Sequence, residues 1–175
     1  IQKLRGVPQD PIYHAEGDVH IHTKMVLEAL IADTEWQELA EADRQSLWLA
    51  GVLHDVAKPY TTEFKEGGRI GHPGPSRKGA DQARSILFHL GVDFALREAV
   101  WGMIRYHQAP FWLIKASNSE SRMARLTWQA SARLVSILGK ADILGRICED
   151  EAAVLENIEL FRMFAEENLA LEAPM

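Results

Sequence analysis

Arg44-Gln45-Ser46-Leu47-Trp48-Leu49-Ala50-Gly51-Val52-Leu53-His54-Asp55-Val56-Ala57-Lys58-Pro59 is the stretch whose reading decides the fold. From Arg44 to Ala57 the residues Leu47, Trp48, Ala50, Gly51, Val52, Leu53 and Val56 leave the helical projection apolar nearly all round, which predicts a buried central helix. Pro59 disfavours helical backbone at Lys58 and is expected to end it. His54 and Asp55 then fall near the C-terminal end of an apolar helix, where an aspartate is costly unless something pairs with it.

Outward from this segment the pattern stays helical. Before it, residues 1–18 are broken by Gly6, Pro8, Pro11 and Gly17, and Asp18 reads as the N-cap of a helix over about 19–32. Residues 33–43 read as a polar connection with one turn near Trp36 and Leu39. After it, residues 59–77 are rich in glycine and proline, an irregular loop or a small hairpin in which Phe64-Lys65 and Arg69-Ile70 flank Glu66-Gly67-Gly68. Helical spacing resumes at about 76–90, with Gly91 as the C-terminal stop, and again at 93–107. Residues 116–121 read as a loop, followed by helices at 123–131 and 132–146. Residues 149–169 form an amphipathic helix with Val154, Leu155, Ile158, Phe161, Phe164 and Ala165 on one face. The fold class is all-α, a compact bundle of roughly six to eight helices.

The 175 residues suit one domain with a sizeable core. A net charge of −6 excludes a protein that coats nucleic acid through bulk positive charge. One cysteine, Cys148, excludes a disulfide framework and fits a reducing cytoplasm. No apolar stretch is long enough to span a membrane and no signal peptide opens the chain, so no membrane partner is expected. Ile1 in place of an initiator Met reads as the start of a piece of something longer. The charge is lopsided: residues 149–175 carry eight acids and only Arg162, whereas residues 1–148 are near neutral. The expected organisation is therefore a catalytic domain over 1–148 and an acidic helix over 149–175 that packs on it or links to an absent domain.

Among seven histidines, His22, His54 and His107 fall on or at the ends of expected helices, His54 is followed by Asp55, and Asp142 lies among apolar residues of a late helix. Imidazole with carboxylate suits Mn, Fe, Zn or Ni better than Mg or Ca. Adjacent helical residues point about 100° apart, so His54 and Asp55 can share one ion only near a helix end. His14 and Glu16 read either as part of a structured loop or as site lining; His20 and His89 read as surface residues.

His22, His54-Asp55 and Asp142, in that order, resemble the H…HD…D signature of the HD-domain metal-dependent phosphohydrolases. Two neighbouring segments sharpen the resemblance. Gly17-Asp18-Val19-His20-Ile21-His22-Thr23 and Ala50-Gly51-Val52-Leu53-His54-Asp55-Val56-Ala57-Lys58-Pro59 are similar to the HD domains of bacterial tRNA CCA-adding enzymes. With the opening Pro8-Gln9-Asp10-Pro11 and His14-x-Glu16-Gly17-Asp18, they also resemble the HD half of bacterial RNA-repair enzymes that carry a polynucleotide kinase domain.

The resemblance implies that His22, His54, Asp55 and Asp142 bind a divalent ion, and that His72 and His107 are the candidates to hold a second, bridged by Asp55. It leaves open one or two ions, and Mn, Ni, Co, Fe, Mg or Zn. It further implies hydrolysis of a phosphoester by a metal-activated water, with Asp55 and Lys58 as the catalytic residues. Lys58, Arg69, Arg77, Lys78 and Arg105 are the candidate substrate-binding cations. The implied substrate is an RNA 2′,3′-cyclic phosphate or 2′-phosphate end, for which Tyr106, Phe111 and Trp112 offer a stacking face. The implied alternatives are a nucleotidase or dNTP hydrolase acting on mononucleotides and, further off, a di-iron oxygenase or an interaction module. A covalently linked kinase or nucleotidyltransferase domain is the expected partner.

Overall fold

Asp18 starts the first helix as expected. Its Oδ1 accepts from Ile21 N at 2.9 Å and its Oδ2 from Gly6 N at 2.7 Å, tying the irregular N-terminal segment to the helix it caps. The computed structural model describes residues 1–168. The first helix, α1 (Val19–Ala32), buries Val19, His22, Thr23, Val26 and Leu30, the residues at three- and four-residue spacing. The expected turn near Trp36 is a short helix, α2 (Thr34–Glu38), capped by Asp33.

The central helix differs from its reading in two ways. It runs as α3 (Glu41–Leu53), one face of which is buried through Ser46, Leu47, Ala50, Gly51 and Leu53, while Trp48 stays 39% exposed. It also stops before the histidine–aspartate pair, because His54 is its C-cap and residues 54–57 form a turn. Pro59 opens the next helix, α4 (Lys58–Thr61), instead of closing the last one. A proline lacks only an N–H that the first helical turn leaves unpaired anyway.

The glycine-rich stretch is the hairpin that the sequence allowed. Strand β1 (Glu63–Phe64) pairs antiparallel with β2 (Ile70–Gly71), Phe64 opposite Ile70. Gly67 and Gly68 reverse the chain between them at φ 71° and 75°. There follow α5 (Pro75–His89) and α6 (Phe94–Tyr106), which pack on one another. Two 3-10 turns not foreseen from the sequence, Ala109–Phe111 and Leu113–Lys115, then lead to α7 (Ser119–Thr127), which begins inside the stretch read as a loop.

The centre of the bundle is α8 (Ala132–Leu144), capped by Ser131 and packed against α1, α3 and α6. The acidic helix α9 (Glu151–Glu167) lays Ile158, Phe161 and Ala165 into the core, and its Arg162 is bound to Glu35 of α2 at 2.7 Å. The last part of the acidic segment, residues 169–175 with Glu172, lies outside the described residues. No helix among the described residues is long and apolar enough to cross a membrane.

Two glycines let the elements close on α8. A Cβ on Gly139 would stand 2.9 Å from the carbonyl oxygen of His107. One on Gly145 would stand 2.7 Å from Val26 N. Gly145→Ala is therefore expected to lower the urea unfolding free energy by roughly 1–3 kcal/mol, the usual cost of overpacking. An unchanged midpoint would show that α1 and the end of α8 can separate at no cost.

Candidate metal centre

Three histidines reach one buried point from three helices. His22 lies in the first turns of α1, His54 caps α3, and His107 caps α6. Asp55 follows His54 in the turn, and Asp142 comes from the last turn of α8. All five are no more than 4% exposed.

Main-chain carbonyls fix each ring. His54 Nδ1 donates to Gly51 O at 2.8 Å, His107 Nδ1 to Ile104 O at 2.8 Å, and His22 Nδ1 to Gly145 O at 3.0 Å. With a proton on Nδ1, each ring has its lone pair on Nε2 whenever it is neutral. These lone pairs face one another and the two carboxylates. His22 Nε2 is 3.3 Å from His54 Nε2 and 3.2 Å from Asp142 Oδ1. His54 Nε2 is 3.2 Å from Asp55 Oδ2, and His107 Nε2 is 3.8 Å from Asp142 Oδ2.

Acceptors at these separations in a dry interior repel unless a proton or a cation lies among them. His107 Nε2 and Asp55 Oδ2 are buried without a hydrogen bond, although Asp55 Oδ2 has Lys58 Nζ 2.7 Å away as a charge partner. His22, His54 and Asp142 each bring a donor atom within 4.8 Å of the others. The donors are imidazole and carboxylate, so the residues present fit a divalent transition-metal ion.

The protonation states agree with that use. Burial acts against both aspartates, but the charge of Lys58 beside Asp55, and that of Arg146 beside Asp142, hold both carboxyls well below the usual carboxylate range. Burial pushes His107 down to about 4, so its ring is neutral at pH 7. Burial also opposes charge on His22, yet hydrogen bonding to Asp142 and Glu16 outweighs it and raises the pKa. A proton and a metal ion therefore compete for the same lone pair of His22.

The structure spreads the remaining candidates out. Lys58 is buried beside the cluster, bonded to Gln9 Oε1 at 2.5 Å as well as to Asp55. His72 lies beyond the hairpin, with Nδ1 3.5 Å from Thr62 Oγ1 and Nε2 buried without a partner. It lines, with Lys58, His14, Gln108 and Arg146, a cleft of about 300 Å3. Arg69 is not among the residues that line this cleft; it is held at 2.6 Å by Asp10, which is, and Arg77 and Lys78 are exposed in the first turn of α5. Arg105 packs against Tyr106 and faces a neighbouring groove.

Sequence reasoning passed over Arg146 and Gln9 as functional residues and left Glu16 open. Arg146 grips Asp142 with both arms of its guanidinium, at 3.1 and 2.7 Å. The four-residue helical spacing was the available signal. Glu16 Oε1 lies 2.7 Å from His14 Nδ1 and 3.1 Å from His22 Nδ1, and its Oε2 accepts from Ile147 N at 2.9 Å. Glu16 is thus both loop staple and site lining, and it backs the His22 ring from behind.

Residues 19–147 match the HD domain family. The chain belongs to the HD domain family. The HD domain family is a superfamily of metal-dependent phosphohydrolases. It is 34% identical over 107 residues to the Multifunctional CCA protein of Halorhodospira halophila, a match covering 61% of this chain and 23% of that protein. It is 26% identical over 104 residues to the Multifunctional CCA protein of Pasteurella multocida, covering 59% and 23%. The matched stretch is thus less than a quarter of either relative's length.

Glu16→Gln is expected to weaken metal binding 10- to 100-fold by titration calorimetry with Mn or Co, because it loosens the backing of His22. The chelator-treated protein carries a second expectation. The folded-state pKa of His107 is about 4 against an ordinary 6.5, so below pH 6.5 the unfolded chain binds more protons at this residue. Its contribution to stability falls as pH drops from 6.5 to about 4, and His107→Gln should flatten that limb in urea titrations. An equally steep limb in the variant would place the sensitivity elsewhere.

Proposed function

We propose that this chain is a divalent-metal phosphohydrolase that acts on the 2′,3′-cyclic phosphate or 2′-phosphate at the 3′ end of an RNA. The observation that carries the reading is the pairing of the buried cluster with the cleft beside it. Lys58 and Arg146 line that cleft, and each is bound to a carboxylate of the cluster, Asp55 or Asp142, at 2.7 Å. A phosphate ester is the substrate whose oxygens satisfy a metal and two fixed cations together. The likeness to HD domains of tRNA CCA-adding enzymes supports an RNA 3′ end.

In this reading His22, His54, Asp55 and Asp142 hold the ion, with His107 beside them. When bound, the metal supplies Lewis-acid polarisation of the phosphoryl group and a lowered pKa for water. The chain's own residues do the rest. Arg146 clamps both oxygens of Asp142 and so fixes how that carboxylate presents itself. Asp55 and Gln9 position the Lys58 ammonium, which takes a non-bridging phosphate oxygen as a point charge. Burial lowers the pKa of His72, so at pH 7 its ring is neutral and can accept a hydrogen bond from a ribose hydroxyl. Water adds to phosphorus and one ring P–O bond breaks, leaving a phosphomonoester and a free hydroxyl. Little base contact is needed for that step.

The matched stretch is a minor part of each relative, so the chain is proposed to act in the cytoplasm next to a linked kinase or nucleotidyltransferase domain. The acidic helix α9 is the candidate connection.

The test is hydrolysis of 2′,3′-cAMP, 2′-AMP and 5′-AMP with Mn, Ni, Co, Mg and Zn. The cyclic and 2′ esters should be preferred, and Asp55→Ala should cost more than the 10- to 100-fold typical of an outer-shell partner. Preference for 5′ esters or dNTPs would make the chain a nucleotidase. Metal binding without hydrolysis of any phosphoester would sink the proposal.

A further inference from the structure

Beside the cleft lies a second groove, of about 310 Å3, between the start of α5, the end of α6 and α7. The two share Gln108, whose Oε1 accepts from Ser76 Oγ at 3.2 Å where they meet. Arg105, Arg122 and Arg125 line this groove, and none of its lining residues is acidic. That is a local reversal of sign in a chain of net charge −6.

The groove is also aromatic. Trp112 lies in it 46% exposed, with the Arg122 guanidinium 5.2 Å from the ring centroid. One turn further along, Arg125 and Ser121 join Trp128, which is 78% exposed. The amphipathic pattern of α7 produces this arrangement. Met123, Leu126 and Thr127 face the core, and Ser121, Arg122 and Arg125 are left outside. The core thus has no use for the two indoles and three guanidiniums. A positive track with exposed aromatic faces is the composition that holds single-stranded nucleic acid, with phosphates on the cations and bases on the rings.

We propose that this groove binds the single-stranded RNA nucleotides that precede the reacting 3′ end. Arg105, Arg122 and Arg125 take the phosphates, and Trp112 takes the face of a base. Continuity through Gln108 leads the strand from the groove to the metal centre. The proposal rests on the RNA-end reading of that centre and adds a strand-binding surface with residues of its own.

The experiment uses the whole chain and two readouts. Binding of a fluorescein-labelled single-stranded RNA is followed by anisotropy, and turnover is compared between 2′,3′-cAMP and an oligonucleotide ending in a 2′,3′-cyclic phosphate. The double variant R122A/R125A should weaken RNA binding about tenfold or more. It should also reduce the slope of log affinity against log salt by about 1.4, as expected for two lost phosphate contacts on a single strand. KM for the oligonucleotide should rise while turnover of 2′,3′-cAMP changes less than twofold. Trp112→Ala should weaken binding by about fivefold or more, and Trp112→Phe should restore most of it.

Equal RNA binding by wild type and R122A/R125A would overturn the proposal. So would tighter binding of a labelled polyglutamate peptide than of RNA, which would make the groove a site for an acidic protein. If no phosphoester is turned over but the binding results hold, the reading of the metal centre fails and the groove stands. If 2′,3′-cAMP is turned over but RNA does not bind, the reverse is true.

Discussion

Two buried carboxylates must stay ionised, and much of the structure around them follows from that requirement. An unpaired carboxylate in a bundle core would neutralise or unfold the site. Here Lys58 and Arg146 compensate Asp55 and Asp142 one to one, at 2.7 Å each. Both cations also line the cleft that we assign to the substrate. The same charges thus keep the two carboxylates ionised and, in the proposed reading, present a positive wall to an incoming phosphate. Removing either cation is therefore a change to folding as well as to binding, and kinetic effects of such variants need a stability measurement beside them.

The carboxylates explain the other supports. Asp55 can reach His54 because α3 ends at Leu53 and the chain turns there. Glu16 joins the irregular N-terminal segment to the loop after α8 while backing His22. The N-terminal segment, α1 and the end of α8 are thereby a single mechanical unit around His22.

Much of this was legible in the sequence. Helices were readable from spacing and caps, with Asp18 and Gly91 marking ends where the structure has them. His22, His54-Asp55 and Asp142 stood out because such residues are rarely placed among apolar neighbours. Other features were hidden for physical reasons. Pro59 is as compatible with the start of a helix as with its end, so the limit of α3 was misread. Trp48 counted as core because hydrophobicity is blind to which face of a helix meets the bundle. Arg146 reads as an ordinary cation at a helix end until its aspartate is known to be buried. The carbonyls that fix the histidines belong to no side chain and leave no trace in residue identity.

Those carbonyls have an electrostatic consequence. Gly51 O belongs to the last turn of α3, Ile104 O to the last turn of α6, and Gly145 O lies just past the end of α8. Three helices thus aim their C-termini at the cluster of histidines and aspartates. Each terminus carries the negative end of a helix dipole, about half an elementary charge. The summed field favours a cation before any carboxylate is counted. It does not titrate, and no single side-chain replacement removes it. Variants stripped of one aspartate are thus left with a built-in attraction for metal, held by the fold itself.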